Sequence, residues 1–291
     1  MGSVTVSAPG KINLTLDILG TLPNGYHEME MLMHAVSLEN TLTLTETEGE
    51  DIVITCSDPA VPLGEKNLAH KAARAFFAAC GKKIGVAIHI EKRVPMEAGM
   101  AGGSADAAGT LVGLNALMGT GFSLERLCEI GVTVGADVPF CIMGGAALVK
   151  GIGEKIHPLS PLEQGFIVAV KPDAGVKTAG CFARYDALTQ VTHPDTAAAM
   201  DAMAKQDLTA LGALLENVLE PAADLPSTDP LRQAMLAAGA LGARMTGSGS
   251  VVYALFEDET AAKRCMQSLA ADGCRQFLLQ FLPFGARVIS E

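Results

Sequence analysis

Pro95-Met96-Glu97-Ala98-Gly99-Met100-Ala101-Gly102-Gly103-Ser104-Ala105-Asp106-Ala107 is the stretch on which the reading of this chain turns. Its small residues let the backbone approach a ligand closely. Ser104 and Asp106 carry oxygens suited to cap a following helix, whose first amides attract anions. Two readings stand open at this point: a cradle for phosphates, and a tight strand-to-helix turn that needs glycine for geometry alone. Neither GxxxxGK[ST] nor GxGxxG occurs in the chain, so a Walker-type loop and a dinucleotide fingerprint are both unsupported.

Outward from this loop the elements follow a strand, loop, helix order. Residues 84–92 (IGVAIHIEK) read as a strand, and apolar spacing predicts a helix from about Ser104 to Met118. Upstream, residues 3–56 alternate apolar and polar and read as strands. Asn67 caps a helix over Leu68 to Cys80, which Gly81 stops. Downstream, a helix runs from Ser123 to near Gly135, and Gly144 to His157 reads as a hairpin. The proline-bounded stretch His157 to Pro161 is the linker candidate. Beyond it come the strand FIVAVKP from Phe166, helical segments at 178–188, 195–219 and 229–239, then MTGSGSVVYALF, a helix over 258–271 and a final strand pair. Two strand-helix-strand units predict an α+β sandwich. The division falls into residues 1–160, which carry the loop, and residues 161–291.

Composition narrows the function. With 291 residues, 49% hydrophobic and 18% charged, the chain can bury a sizeable core. Pro139 to Val149, its longest nearly uncharged apolar run, is too short to span a bilayer. The opening Met1-Gly2-Ser3-Val4-Thr5-Val6 has neither the pattern of an export signal nor that of a myristoylation site, so no membrane partner is expected. Seven cysteines without a CxxC pair fit a reducing cytoplasm. A net charge of −11 argues against nucleic acid, which demands a basic face. A few local cations can still hold the phosphates of a small ligand, because screening confines a charge to about 10 Å.

Three motifs in order give the loop a context. Ala8-Pro9-Gly10-Lys11-Ile12-Asn13-Leu14, the loop itself and Met245-Thr246-Gly247-Ser248-Gly249 together resemble the motifs of the GHMP kinase superfamily. Asn24-Gly25-Tyr26-His27-Glu28 and Gly135-Ala136-Asp137-Val138-Pro139-Phe140 are similar to the branch whose alcohol substrate carries a cytidine diphosphate group and feeds non-mevalonate isoprenoid synthesis. The resemblance runs from about residue 7 to 257. It departs at Met100 and Ala101, where leucine and glycine are usual, and Ala101 resists a positive φ. It departs again at Met33, where an aromatic is common, which implies a softer pocket wall.

The resemblance implies a two-domain GHMP kinase fold. Its first part is an α/β sandwich with a left-handed strand-helix-strand unit, and its second is ferredoxin-like. Asp137 becomes the catalytic carboxylate and Lys11 its cationic partner, roles that phosphoryl transfer can use to accept a proton and to offset developing charge. ATP, with Mg2+ near Ser104, is implied against Pro95, Gly99, Met100, Ala101, Gly102, Gly103, Ser104 and Ala105. Asn67 either touches adenine or is a plain cap. The substrate falls to Asn13, Tyr26, His27, Ile152, Thr178, Phe182 and Gly247, with Tyr26 and Phe182 suited to cover the two faces of a base. His27-Glu28 is not part of HExxH, because residue 31 is methionine. Other kinases of the superfamily, acting on mevalonate, homoserine or a sugar, and a non-catalytic ATP- or metabolite-binding regulator are the alternatives. A monomer or weak homodimer is expected.

Overall fold

A computed structural model describes residues 2–23, 25–269 and 274–290. Asn24, and residues 270–271 of the expected last helix, lie outside them. Two long antiparallel strands, β1 (Ser3–Thr21) and β2 (His27–Thr47), open the chain. Their register shifts between Pro9 and Gly10, between Asn13 and Thr15, and between Ile18 and Gly20. Such bulges bend a strand and re-aim its side chains. β3 (Ile52–Cys56), α1 (Leu68–Cys80) and β4 (Gly85–Glu91) form the expected strand-helix-strand unit, with β3 and β4 parallel neighbours. Asn67 Oδ1 accepts the Ala69 amide and Gly81 closes the helix on the Phe77 carbonyl. The start and stop of α1 are therefore where the local residues put them.

α2 (Gly102–Leu117) leaves the glycine-rich loop, and α3 (Leu124–Val132) and α4 (Val138–Met143) follow. α1 and α2 cover one face of the first sheet, and α3 packs against those two helices. Phe76, Leu42, Leu44, Ile88 and Leu111 are fully buried there; closing that face stabilises by roughly 2 kcal/mol for each large side chain. The hairpin β5 (Ala146–Gly151) and β6 (Lys155–Leu159) extends β2. The linker expected over His157–Pro161 is therefore half strand. Among the described residues β6 pairs only with β5, and an edge strand tolerates Pro158 because no ladder donor is needed on its open side.

The second sheet is antiparallel, in the order β11 (Arg275–Gln280), β7 (Phe166–Lys171), β10 (Val252–Phe256), β9 (Gly242–Met245). Ranked by chain position this is fourth, first, third, second, the ferredoxin-like order. Its central strands, β7 and β10, are buried on both faces. Ile167 and Ala169 pack toward the first sheet, while Val168 and Val170 pack under α8 (Thr228–Ala237) and α9 (Glu259–Ser268). α5 (Thr178–Tyr185), α6 (Thr196–Ala204) and α7 (Leu208–Ala213) complete this half. The helical segment expected over 195–219 divides into α6, α7 and a two-residue strand, β8 (Glu216–Asn217). Gln206 takes a left-handed φ of 57° and Asp207 caps a fresh start.

The final strands do not pair with each other as expected. β11 joins the second sheet, while β12 (Arg287–Ser290) returns to β1, and β8 also lies on β1, in parallel. The expected 160/161 division falls between β6 and β7, yet two later strands belong to the first sheet. Among the described residues, no helix is long and apolar enough to cross a membrane.

Candidate active site

A cleft of about 760 Å3 opens between the two sheets. The glycine-rich loop forms one wall. It is stitched to β1 through Lys11 N–H to Met100 O (3.1 Å), and to the third motif through Ser250 N–H to Glu97 O and Val251 N–H to Ala98 O (3.2 Å each). Gly99 meets that motif so closely that a Cβ on it would stand 1.9 Å from Thr246 O. α2 begins at Gly102 with Ala101 at its N-cap, φ +58°, so Ser104 and Asp106 lie inside the helix and do not cap it. Asp106 instead points inward, where it pairs with Lys92 Nζ and accepts Asn40 Nδ2 at 2.7 Å. Burial pushes its carboxyl up, and Lys92 and Asn40 oppose that. Asn40 Oδ1 also takes the amides of Arg93 and Val94, so this network fixes the loop's entry and the helix's first turn.

Lys11 and Asp137 meet in the cleft. Lys11 follows the bulge at Pro9/Gly10 and is 3% exposed; its Nζ donates to Asn13 Oδ1 (2.6 Å) and Gly99 O (3.0 Å) and stands 4.0 Å from Asp137 Oδ2. Asp137 occupies the N-cap position of α4, but its carboxylate makes no capping bond and its side chain is 31% exposed. A carboxylate at a helix start that does not cap is free to face a ligand. Cys141 and Cys181, buried nearby, supply no thiolate: burial raises Cys181 to about 11 and Cys141 further.

At the far end, His27 stacks at 4.8 Å on Phe182 and meets Tyr185 edge-on at 6.2 Å, and its Nε2 lies 2.8 Å from Asp186 Oδ1. Burial raises the Tyr185 hydroxyl's pKa, helped by Asp17 and Asp186. Tyr26, 61% exposed, stands at the lip. Thr178 Oγ1 lies 3.1 Å from Ser248 Oγ, which joins α5 to the third motif.

Of the residues singled out in the sequence, the cleft brings together Lys11, Tyr26, His27, Pro95, Gly99, Met100, Ala101, Gly102, Gly103, Ser104, Asp137, Ile152, Thr178, Phe182 and Gly247. Asn13, Asn67 and Ala105 do not line it. Asn13 is buried behind Lys11, with its Nδ2 unpartnered among the described residues. Asn67 commits its amide to Ala69 N and Pro62 O, and Ala105 faces the core. Met33 is fully buried away from the cleft, so the soft wall falls to Met29 and Met31, which share its strand face but lie nearer the mouth. Leu16, Val176, Leu219 and Ser248 also line the cleft; the period-two pattern of β1 and β2 could have flagged Leu16 and the methionines. A broader hollow of about 1000 Å3 lies beside α8, but its guanidiniums, Arg232 and Arg244, are engaged by Glu216, Glu220 and Asp229. The glycine-rich loop and the cation-carboxylate pair belong to the smaller cleft.

Comparison with known proteins gives the family. Residues 67–145 match the family described as GHMP kinases N terminal domain, and residues 199–273 match GHMP kinases C terminal. A 4-diphosphocytidyl-2-C-methyl-D-erythritol kinase of Carboxydothermus hydrogenoformans is 42% identical over 97% of both chains. The chain belongs to the 4-diphosphocytidyl-2-C-methyl-D-erythritol kinase family. A solved 4-(cytidine 5'-diphospho)-2C-methyl-D-erythritol kinase superposes with a TM-score of 0.79 at 32% identity, over 94% of this chain and 98% of that one. Homoserine kinase from Cytophaga hutchinsonii gives 0.80 at 21% identity, over 99% and 98%, which speaks for the fold alone. Membership makes this family member a phosphotransferase, and ATP use goes with the GHMP kinases.

Proposed function

We propose that the chain transfers the γ-phosphoryl of ATP to the 2-hydroxyl of 4-diphosphocytidyl-2-C-methyl-D-erythritol. The observation that carries the reading is the Lys11–Asp137 pair, set between the glycine-rich loop on one side and the Tyr26, His27 and Phe182 group on the other. The loop and the N-terminal amides of α2 cradle the nucleotide's phosphates. The aromatic group takes the cytosine, a flat base suited to stacking.

Asp137 accepts the proton of the 2-hydroxyl as its oxygen attacks the γ-phosphorus. One P–O bond forms to the alcohol, the bond to ADP breaks, and the proton stays on the carboxylate until it leaves to solvent. Transfer of this kind asks the protein chiefly for position and charge. Lys11 supplies the charge from a nearly dry position, where it acts more strongly than it would in water. Asn13, bonded to Lys11 Nζ, fixes where that ammonium points and so helps to hold the substrate through it.

Magnesium takes oxygen ligands and keeps several waters, and the oxygens on this wall, the Ser104 hydroxyl and the Glu97 carboxylate, fit it. Ser104 would hold the ion, which when bound neutralises charge on the phosphates. The same reading places the enzyme in the cytoplasm, as a monomer or weak homodimer. Labelled ATP offered with the cytidine alcohol, mevalonate, homoserine and galactose in parallel tests the assignment. Label transferred only to the cytidine alcohol is the expected result, and indifference to the cytidine group would overturn it.

A further inference from the structure

The third glycine turn takes its shape from a side chain elsewhere in the fold. Asn217 of β8 is 1% exposed. Its Nδ2 donates to Met245 O and Gly247 O, each at 2.8 Å, and its Oδ1 accepts the Leu219 amide at 2.9 Å. Both amide hydrogens are committed, so turning the amide over would set its oxygen against two carbonyl oxygens. Glu220 adds a bond from Met245 N–H at 2.7 Å and is itself held by Arg244 at 3.3 Å. β8 is docked on the strand that carries Lys11, with Leu16 opposite Asn217 and Val218 N–H donating to Leu16 O at 3.1 Å.

The other side of the turn faces the cleft. Thr246 N–H donates to Val251 O and Gly249 N–H to Thr246 O, both at 3.0 Å. The amides of Gly247 and Ser248 reach no protein acceptor among the described residues, and both residues line the cleft. Gly247 is left-handed at φ +56°. Successive amides at such a turn form a concavity that suits an anion, and buried donors need an acceptor from somewhere.

We propose that Asn217 is a positioning residue for the transfer. By drawing two carbonyls of the turn to its own side, it leaves the Gly247 and Ser248 amides as donors to a phosphate oxygen, on the alcohol's diphosphate or on the nucleotide. The inference rests on the kinase reading above.

Asn217→Ala and Asn217→Ser, made in the full chain, test it by steady-state kinetics beside thermal melting. In the alanine variant kcat falls by about tenfold or more, a modest share of what one lost oxyanion donor costs, while KM for ATP stays within about threefold. The serine variant, keeping one donor, falls between. An unchanged kcat overturns the inference, as does a lower rate explained wholly by a smaller ligand-binding fraction. Should the alanine variant fail to fold, amide NMR of the unaltered protein decides. The Gly247 and Ser248 protons move downfield with cytidine 5'-diphosphate if the alcohol's phosphates are bound, or with a non-hydrolysable ATP analogue if the nucleotide's are. If neither ligand moves them, Asn217 has no such role. Failure of the unaltered enzyme to phosphorylate the cytidine alcohol would count against the proposed substrate, and the NMR arms would still decide the fate of Asn217.

Discussion

Lys11 Nζ stands 4.0 Å from Asp137 Oδ2, with its other contacts taken by Gly99 O and Asn13 Oδ1. The ammonium is thus held by neutral oxygens and the carboxylate is left uncapped. That arrangement keeps both groups aimed at whatever enters between the glycine-rich loop and α4.

Removing the charge of Asp137 while keeping its shape separates chemistry from binding. Asp137→Asn lowers kcat by about 10²- to 10⁴-fold, the range for loss of a positioned proton acceptor, and leaves the affinity for an ATP analogue nearly unchanged. Lys11→Met lowers the rate as well and also destabilises. Gly99 O and Asn13 Oδ1 would then share the one hydroxyl proton of Thr246, now 3.2 and 3.3 Å away from them, at a cost of about 1–3 kcal/mol for the acceptor left out. Rapid-quench kinetics, calorimetric titration and chemical unfolding read the three effects. Near-normal turnover by Asp137→Asn would mean that another group accepts the hydroxyl proton.

Gly99 and Ala101 share the left-handed region, φ +72° and +58°, yet differ in what surrounds them. Gly99→Ala drives a methyl into the Thr246 backbone and pushes the loop off the third turn. The expected loss is at least about 3 kcal/mol of stability, the upper end of ordinary core overpacking, together with most activity. Ala101→Gly relieves a strain of about 1–2 kcal/mol but loses a methyl packed on the core worth about 0.8 kcal/mol, so melting stays level or rises slightly. Parallel melting curves distinguish the two, and equal destabilisation by both would show that space is not what selects glycine at position 99.

What was legible in the chain follows the range of the physics. Asn67 and Gly81 mark α1 because caps act within a turn, and residues 84–92 read as a strand because alternation is local. The three motifs find each other in space in their sequence order. Long-range pairing left no local mark. Glu216–Asn217 sits inside an apolar pattern that reads as helix, and only docking on Thr15 and Leu16 makes it a strand. β12 is likewise recruited from the far end of the chain by β1. Asp106 reads as a cap by its place near a helix start, and the buried Lys92 that claims it comes from the preceding strand's end. Met29, Met31 and Met33 share one strand face, and their depth in the fold decides which of them meet a ligand.

The Lys92–Asp106 pair has side chains only 3% and 4% exposed, so breaking it on one side strands a charge. Lys92→Met is expected to cost about 3–5 kcal/mol, the usual penalty for orphaning a buried partner. Lys92→Met combined with Asp106→Asn recovers much of that, because the neutral amide can still accept from Asn40. A double-mutant cycle by urea unfolding measures the coupling, and additive effects would mean the pair does not hold the loop.

His34 makes stability depend on acidity in a way a single substitution can isolate. Its Nε2 accepts the Leu162 amide at 2.9 Å, so the ring proton sits on Nδ1 and donates to Ala35 O, also at 2.9 Å. The bond from Leu162 is lost if Nε2 takes a proton, and burial beneath Phe281 lowers the pKa from 6.5 to about 4. The folded protein therefore binds fewer protons than the unfolded chain between those values, and stability is full above pH 6.5 and drains away as pH falls toward 4. From pH 7.5 to 5.0 the loss assignable to His34 is about 2 kcal/mol at 1.36 kcal/mol per pH unit. His34→Gln, which keeps an acceptor for the Leu162 amide but cannot titrate, is less stable at pH 7.5 and loses less on acidification. Urea midpoints for both proteins at the two pH values give the difference directly, and parallel pH slopes would show that the buried ring is not the group that senses acid.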